Sequence, residues 1–194
     1  MIKAGITGGI GSGKTTVCKI FEVLGIPVYY ADERAKWLMV NDPDLIRQLK
    51  AAFGDEVYFK NGILNRQYLA NLIFNDQSKL ETINNIVHPA VQLDSEIWNS
   101  EHGTVPFTLK EAALFFENGS YVKMDKMITV TAPESLRIQR VIARDHTDEA
   151  SVKARIDKQL PESEKVKLSD FVINNDGSQS LILQVLAIYN QLRA

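Results

Sequence analysis

Short apolar runs alternate with longer stretches of helical periodicity along this chain. The runs at 2–7 (IKAGIT) and 26–32 (IPVYYAD) read as strands, and 104–112, 125–132 and 169–175 supply three more. Between the first two, Val17, Ile20, Phe21 and Leu24 recur at helical spacing and Gly25 stops the helix. A further helix is expected in ESLRIQRVIARD, with Pro133 as its first residue. Strand–helix alternation of this kind implies a mostly parallel sheet covered on both faces.

The interval between the second and third strands is too long for a simple crossover. Pro43 starts a helix there and Gly54 ends it, Asn61-Gly62 marks a tight hairpin turn, and Pro89 breaks or starts a later helix. Residues 33–100 are therefore expected to form a mainly helical insertion. The remainder, 1–32 and 101–194, is expected to form the core.

Composition narrows the class. The chain has 194 residues, 45% hydrophobic and 24% charged, the proportions of a globular protein with an adequate core. A net charge of −2 argues against a general nucleic-acid binder. The single cysteine, Cys18, forms no intrachain disulfide and fits a reducing compartment. No run approaches the roughly 18 apolar residues of a spanning helix, so a cytoplasmic protein with no membrane partner is expected, as a monomer or small homo-oligomer.

The chemistry concentrates in GGIGSGKT, residues 8–15, which fits G-x-x-x-x-G-K-[ST] without a mismatch. Side chains would block the close approach of backbone N–H groups to phosphate oxygens, so glycines occupy the loop. Gly9, Gly11, Ser12, Gly13, Lys14, Thr15 and Thr16 are candidate ATP ligands. Lys14 reaches the β- and γ-phosphates, the Thr15 hydroxyl can bind Mg²⁺, and the following helix presents its positive end.

Asp32 follows the second strand. It is a candidate base or Mg²⁺-positioning carboxylate, and equally a helix N-cap ahead of ERAKWL. Arg137, Arg140 and Arg144 share a helical face, where unneutralised they repel and a polyphosphate would relieve them; partners such as Glu134 and Asp145 would do the same. Arg155, Lys153 and Lys158 add a second basic helix, the pattern of a flap over phosphates. His102 and His146 read as surface residues, and no set of three ligands suggests zinc.

The ordered set TGGIGSGKTT (7–16), YAD (30–32), IVHP (86–89), ALFFENG (113–119), QRVIARD (139–145) and VINNDG (172–177) resembles the dephospho-coenzyme A kinase family over nearly the whole chain. The resemblance implies an α/β phosphate-loop fold: a five-stranded parallel sheet flanked by helices, a helical acceptor-binding insertion, and a lid at about 140–165. It implies ATP- and Mg²⁺-dependent phosphorylation of the 3′-hydroxyl of dephospho-coenzyme A, the last step of coenzyme A synthesis. By resemblance Asp32 is the base, Arg140 and Arg144 meet phosphates, and Asn175 lies beside adenine. Arg66, His88 and Glu117 fall on acceptor or lid positions, His88 being equally readable as a helix-start residue ahead of Pro89. Glu111 is a candidate Mg²⁺ group at the end of the third strand. Departures are Tyr30 for the first aspartate of D-A-D, Ala113 for a proline and Phe115 for a leucine. Other readings are a different small-molecule or nucleoside kinase, or a low-turnover nucleotide switch, the latter lacking an Asn-Lys-x-Asp motif.

Overall fold

A computed structural model describes residues 1–74 and 76–194. The chain divides into two compact units, 1–30 with 102–194, and 31–101.

The first unit holds a parallel sheet of five strands: β1 (Ile2–Thr7), β2 (Val28–Tyr30), β3 (Phe107–Glu111), β4 (Lys126–Thr131) and β5 (Phe171–Asn174), in the order β2-β3-β1-β4-β5. The strands are short apolar runs because both faces are covered; all five residues of β3 are buried. Register pairs Ile6 with Glu111 on one side of β1 and with Ile128 on the other. After β1 the chain leaves towards β2 and β3, whereas after β3 it crosses to β4. The carboxyl end of β1 is thus a topological switch point, where open α/β sheets place ligands.

Helix α1 (Lys14–Val23) and the C-terminal helix α9 (Leu181–Leu192) pack in one cluster with Ile6, Leu109, Ile128 and Ile173. Phe107 meets the ring edges or faces of Phe21 at 6.1 Å and Tyr189 at 6.0 Å, a geometry aromatic pairs favour. Three further helices lie between β4 and β5: α6 (Glu134–Asp145), α7 (Glu149–Ile156) and α8 (Glu162–Lys167). Ile138, Val141 and Val152 form their own cluster, against which Ile10 of the glycine loop packs.

The second unit comprises α2 (Ala31–Asn41), α3 (Pro43–Phe53), α4 (Arg66–Phe74) and α5 (Gln77–Glu101). Asp42 caps α3 by accepting from the N–H groups of Asp44 at 2.8 Å and Leu45 at 3.0 Å, and Gly54 ends the helix at φ 91°. Residues 58–64 close as the expected tight turn: Gly62 N donates to Phe59 O at 2.8 Å, and Gly62 adopts φ 82°. Arg34 grips Asp94 of α5 with Nε at 2.9 Å from Oδ2 and covers the Trp37 ring at 4.4 Å. The Tyr58 hydroxyl donates to Met39 O at 2.6 Å, and burial pushes it up to about 12.

Three local expectations need correction. Strand β2 stops at Tyr30 and α2 begins at Ala31, so Asp32 lies inside the first turn and is not the N-cap. Pro133 stands one residue earlier than expected, as N-cap of α6, because its ψ of 138° is extended and not helical. Pro89 neither breaks nor starts a helix, since α5 runs unbroken through it. Proline removes one backbone hydrogen bond. The buried row Ile83, Val87 and Val91 holds the helix together across that gap, and the proline itself faces solvent.

Candidate active site

The loop between β1 and α1 is defined by what surrounds it. Gly11 and Gly13 have φ of 79° and 93°, a region costly for residues with a Cβ. Space is limiting as well. A Cβ on Gly8 would run into Val130 O, on Gly11 into the Arg137 carbonyl, and on Gly13 into the Asn175 side chain. Ser12 N donates to Gly9 O at 3.1 Å, and the N–H groups of Thr16 and Val17 both turn back to Gly13 O. The Ser12 hydroxyl is buried with no hydrogen-bond partner. Such a cradle, with glycine backbone, an unsatisfied hydroxyl and a helix N-terminus, fits the phosphates of a nucleotide.

Cations gather on the same loop. Lys14 Nζ donates to Gly8 O at 3.0 Å. Arg140 donates to Gly11 O at 3.4 Å and to Asn175 O at 3.0 Å, while Asn175 Nδ2 donates to Ser12 O at 2.7 Å. The structure therefore brings Arg140 and Asn175 together with residues 8–15, although 160 or so residues separate Asn175 from them. Arg144 behaves differently: it is mostly exposed and holds Asp145 through Nε at 2.6 Å and Nη2 at 3.0 Å. Arg155 adds a third contact to Asp145 at 2.9 Å, and these guanidinium groups hold the Asp145 carboxyl well below the usual range. The partner foreseen for Arg144 is thus present.

Thr15 and Thr16 are exposed in the first turn of α1. Glu111 is buried at the carboxyl end of β3. Burial raises the Cys18 thiol, Glu111 and Glu22 push it further up, and Lys14 opposes them. The same corner holds Tyr30, aligned with Glu111 across β2 and β3. Its phenol is raised by burial and by the charges of Glu22 and Glu111. One hydroxyl and one carboxylate are hard oxygen donors suited to Mg²⁺, which keeps several waters and takes the rest of its shell from phosphates. Among the described residues no group of three metal-ligating acids, histidines or cysteines exists.

Of the acceptor-side candidates, Asp32, Arg66 and His88 belong to the second unit. All three are exposed: Asp32 in the first turn of α2, Arg66 as the first residue of α4, His88 in mid-α5. His88 is therefore not a helix-start residue. Glu117 lies in the first unit and ties the α7–α8 segment down. Its Oε1 accepts from Leu160 N at 2.8 Å and pairs with Lys165 Nζ at 2.7 Å. Lys165 is 0% exposed and also donates to Ala113 O at 3.3 Å.

Sequence reading passed over Lys165, Gln159 and the burial of Arg137. Gln159 accepts from Ile10 N at 2.9 Å and so pins the tip of the glycine loop. Only non-local contacts reveal these roles; a lysine among ESEKVK reads as solvated. Removing the carboxylate strands a buried ammonium, so Glu117→Gln is expected to cost about 3 kcal/mol of stability. Lys165→Met should cost clearly less, because the charge leaves with the side chain. Urea unfolding of the two variants checks this; equal losses would contradict it.

Comparisons with known proteins give the family of the chain. The family model described as dephospho-CoA kinase matches residues 2–180. The dephospho-CoA kinase of Bacteroides fragilis is 37% identical over 187 residues, covering 96% of this chain and 91% of that protein. A solved Thermus thermophilus protein superposes with TM-score 0.86 at 32% identity, over 100% of this chain and 98% of that one. Dephospho-CoA kinase from Campylobacter jejuni shares the fold, with TM-score 0.71 at 24% identity over 98% and 96% of the two chains. A chain matched by this family model over residues 2–180, and 37% identical to a relative over 96% of its length, belongs to the dephospho-CoA kinase family, ATP-using kinases of coenzyme A biosynthesis.

Proposed function

We propose that this protein transfers the γ-phosphoryl group of ATP to the 3′-hydroxyl of dephospho-coenzyme A, with Mg²⁺, in the cytoplasm. The observation that carries the reading is the convergence of Lys14, Arg140 and Asn175 on residues 8–15 at the sheet's switch point, in a member of this family. Gly9, Gly11, Ser12, Gly13, Thr15 and Thr16 complete the nucleotide cradle. Phosphoryl transfer asks the protein chiefly for positioning and charge neutralisation, which this clustering of cations supplies.

Thr15 and Glu111 would hold Mg²⁺, which neutralises charge on the nucleotide phosphates. Lys14 neutralises charge at the transferred group. Arg140 and Arg144 act as lid arginines within the segment 140–165, Arg144 after release from Asp145. Asp32 orients the acceptor hydroxyl and accepts its proton. Arg66, His88 and Glu117 belong to acceptor recognition, Arg66 and His88 from the insertion 33–100 and Glu117 through its hold on the lid. Residues 1–32 and 101–194 form the nucleotide-binding core.

The test is ADP release from ATP with a panel of acceptors: dephospho-coenzyme A, coenzyme A, a nucleoside and a nucleoside monophosphate. Turnover above the acceptor-free rate is expected with dephospho-coenzyme A alone, since coenzyme A lacks a free 3′-hydroxyl. Comparable rates with a nucleoside would overturn the assignment.

A further inference from the structure

Arg137 stands out among the arginines of α6 because it is buried, 6% exposed, yet weakly paired. Its Nε donates to Ala132 O at 3.1 Å. Its nearest carboxylates, Glu134 and Glu162, stand at 3.9 Å, the outer limit of an ion pair. Glu162 Oε1 is buried without a hydrogen-bond partner, and burial raises its carboxyl despite the guanidinium. Two carboxylates at that distance are not what holds this side chain in place.

What the guanidinium does touch is the phosphate loop. A Cβ on Gly9 would run into Nη1, with Cζ immediately behind it. The backbone carbonyl of the same residue blocks Gly11 in the same way. Arg137 also borders a cleft of about 550 Å³ with Gly9, Gln159 and Glu162. One residue therefore presses two loop glycines, with a planar cation at one and a carbonyl at the other.

We infer that Arg137 is a positioning residue for the phosphate loop, bracing Gly9 and Gly11 so that the loop's N–H groups stay directed at the phosphates of ATP. This rests on the kinase reading above. Residues 8–13 carry no regular secondary structure, so their shape depends on such contacts. Ordering the loop ahead of binding spares the nucleotide that entropic cost. The buried cation also raises the potential around the loop without contacting the substrate. The contact is one that the spacing of the arginines cannot disclose, because it is made through Gly9, which has no side chain.

The experiment is a double-mutant cycle of Arg137→Ala and Gly9→Ala in the full-length enzyme, reading ADP binding and both KM values. Arg137→Ala is expected to weaken ADP binding and raise KM for ATP about 10-fold, equivalent to about 1.4 kcal/mol. KM for dephospho-coenzyme A should move less than about 2-fold, a split that general destabilisation would not produce. Gly9→Ala should weaken ADP binding to a similar degree in the parent but at most about 2-fold once Arg137 is gone, because the clash has been removed. Should Arg137→Ala fail to fold, Arg137→Gln, which keeps the stem and an N–H donor, carries the same cycle. Independent effects that multiply, or an unchanged ADP affinity, overturn the brace. If the parent enzyme released no ADP above the acceptor-free rate with dephospho-coenzyme A, the kinase reading itself would fail while ADP binding still tested the brace, which separates the two claims.

Discussion

Lys14→Ala is expected to cut phosphoryl transfer severely while leaving the protein folded. The expected fall in turnover is about 10³-fold, the scale seen when a preorganised cation or donor is removed from a transferring group. The fold is expected to survive because the side chain acts within its own loop, where Nζ donates to Gly8 O at 3.0 Å. A hydrogen bond of that kind contributes about 1 kcal/mol. The strand and helix that carry the loop are held independently by Ile6, Val17 and Phe21, all fully buried. The paired measurement is initial rate with dephospho-coenzyme A and thermal melting. Near-normal turnover in a well-folded variant would remove residues 8–15 from the catalytic account.

Asp32→Asn is expected to lower turnover about 10²-fold with little change in stability. The position makes this a clean test. Asp32 is exposed within the first turn of α2, where its charge interacts with the helix dipole. That contributes at most about 1 kcal/mol. Asparagine keeps shape and hydrogen-bonding capacity but cannot take the acceptor's proton. Phosphoryl transfer with a loose transition state asks little of a base, so a fall of only a few-fold would assign Asp32 to holding the hydroxyl in place. Full activity in a stable variant would leave it a helix-dipole residue only.

The glycine loop was legible because its constraint is local. Residues 8–15 must combine glycine flexibility with a lysine and a hydroxyl at fixed offsets, and a strand and a helix must flank them. Alternation of apolar runs with helical stretches likewise carries the parallel α/β class, since strands buried on both faces become continuous apolar segments. The cap and stop of α3 were readable for the same reason: Asp42, Pro43 and Gly54 act through their own backbone neighbours.

What the chain folds into around that loop depends on partners remote in sequence. Pro89 looked like a helix boundary, yet packing along Ile83, Val87 and Val91 carries α5 through it. The regular spacing of Arg137, Arg140 and Arg144 suggested three equivalent cations. Tertiary contacts give them three fates: one buried against Gly9, one bonded to Gly11 and Asn175 carbonyls, one exposed on Asp145. Lys165, in a run that reads as solvated surface, is buried because Glu117 neutralises it from 48 positions away. Sequence by itself determines residue chemistry and local backbone preference. Burial and charge pairing arise only when distant segments meet, and they decide which of those charges face the glycine loop, a carboxylate or the protein interior.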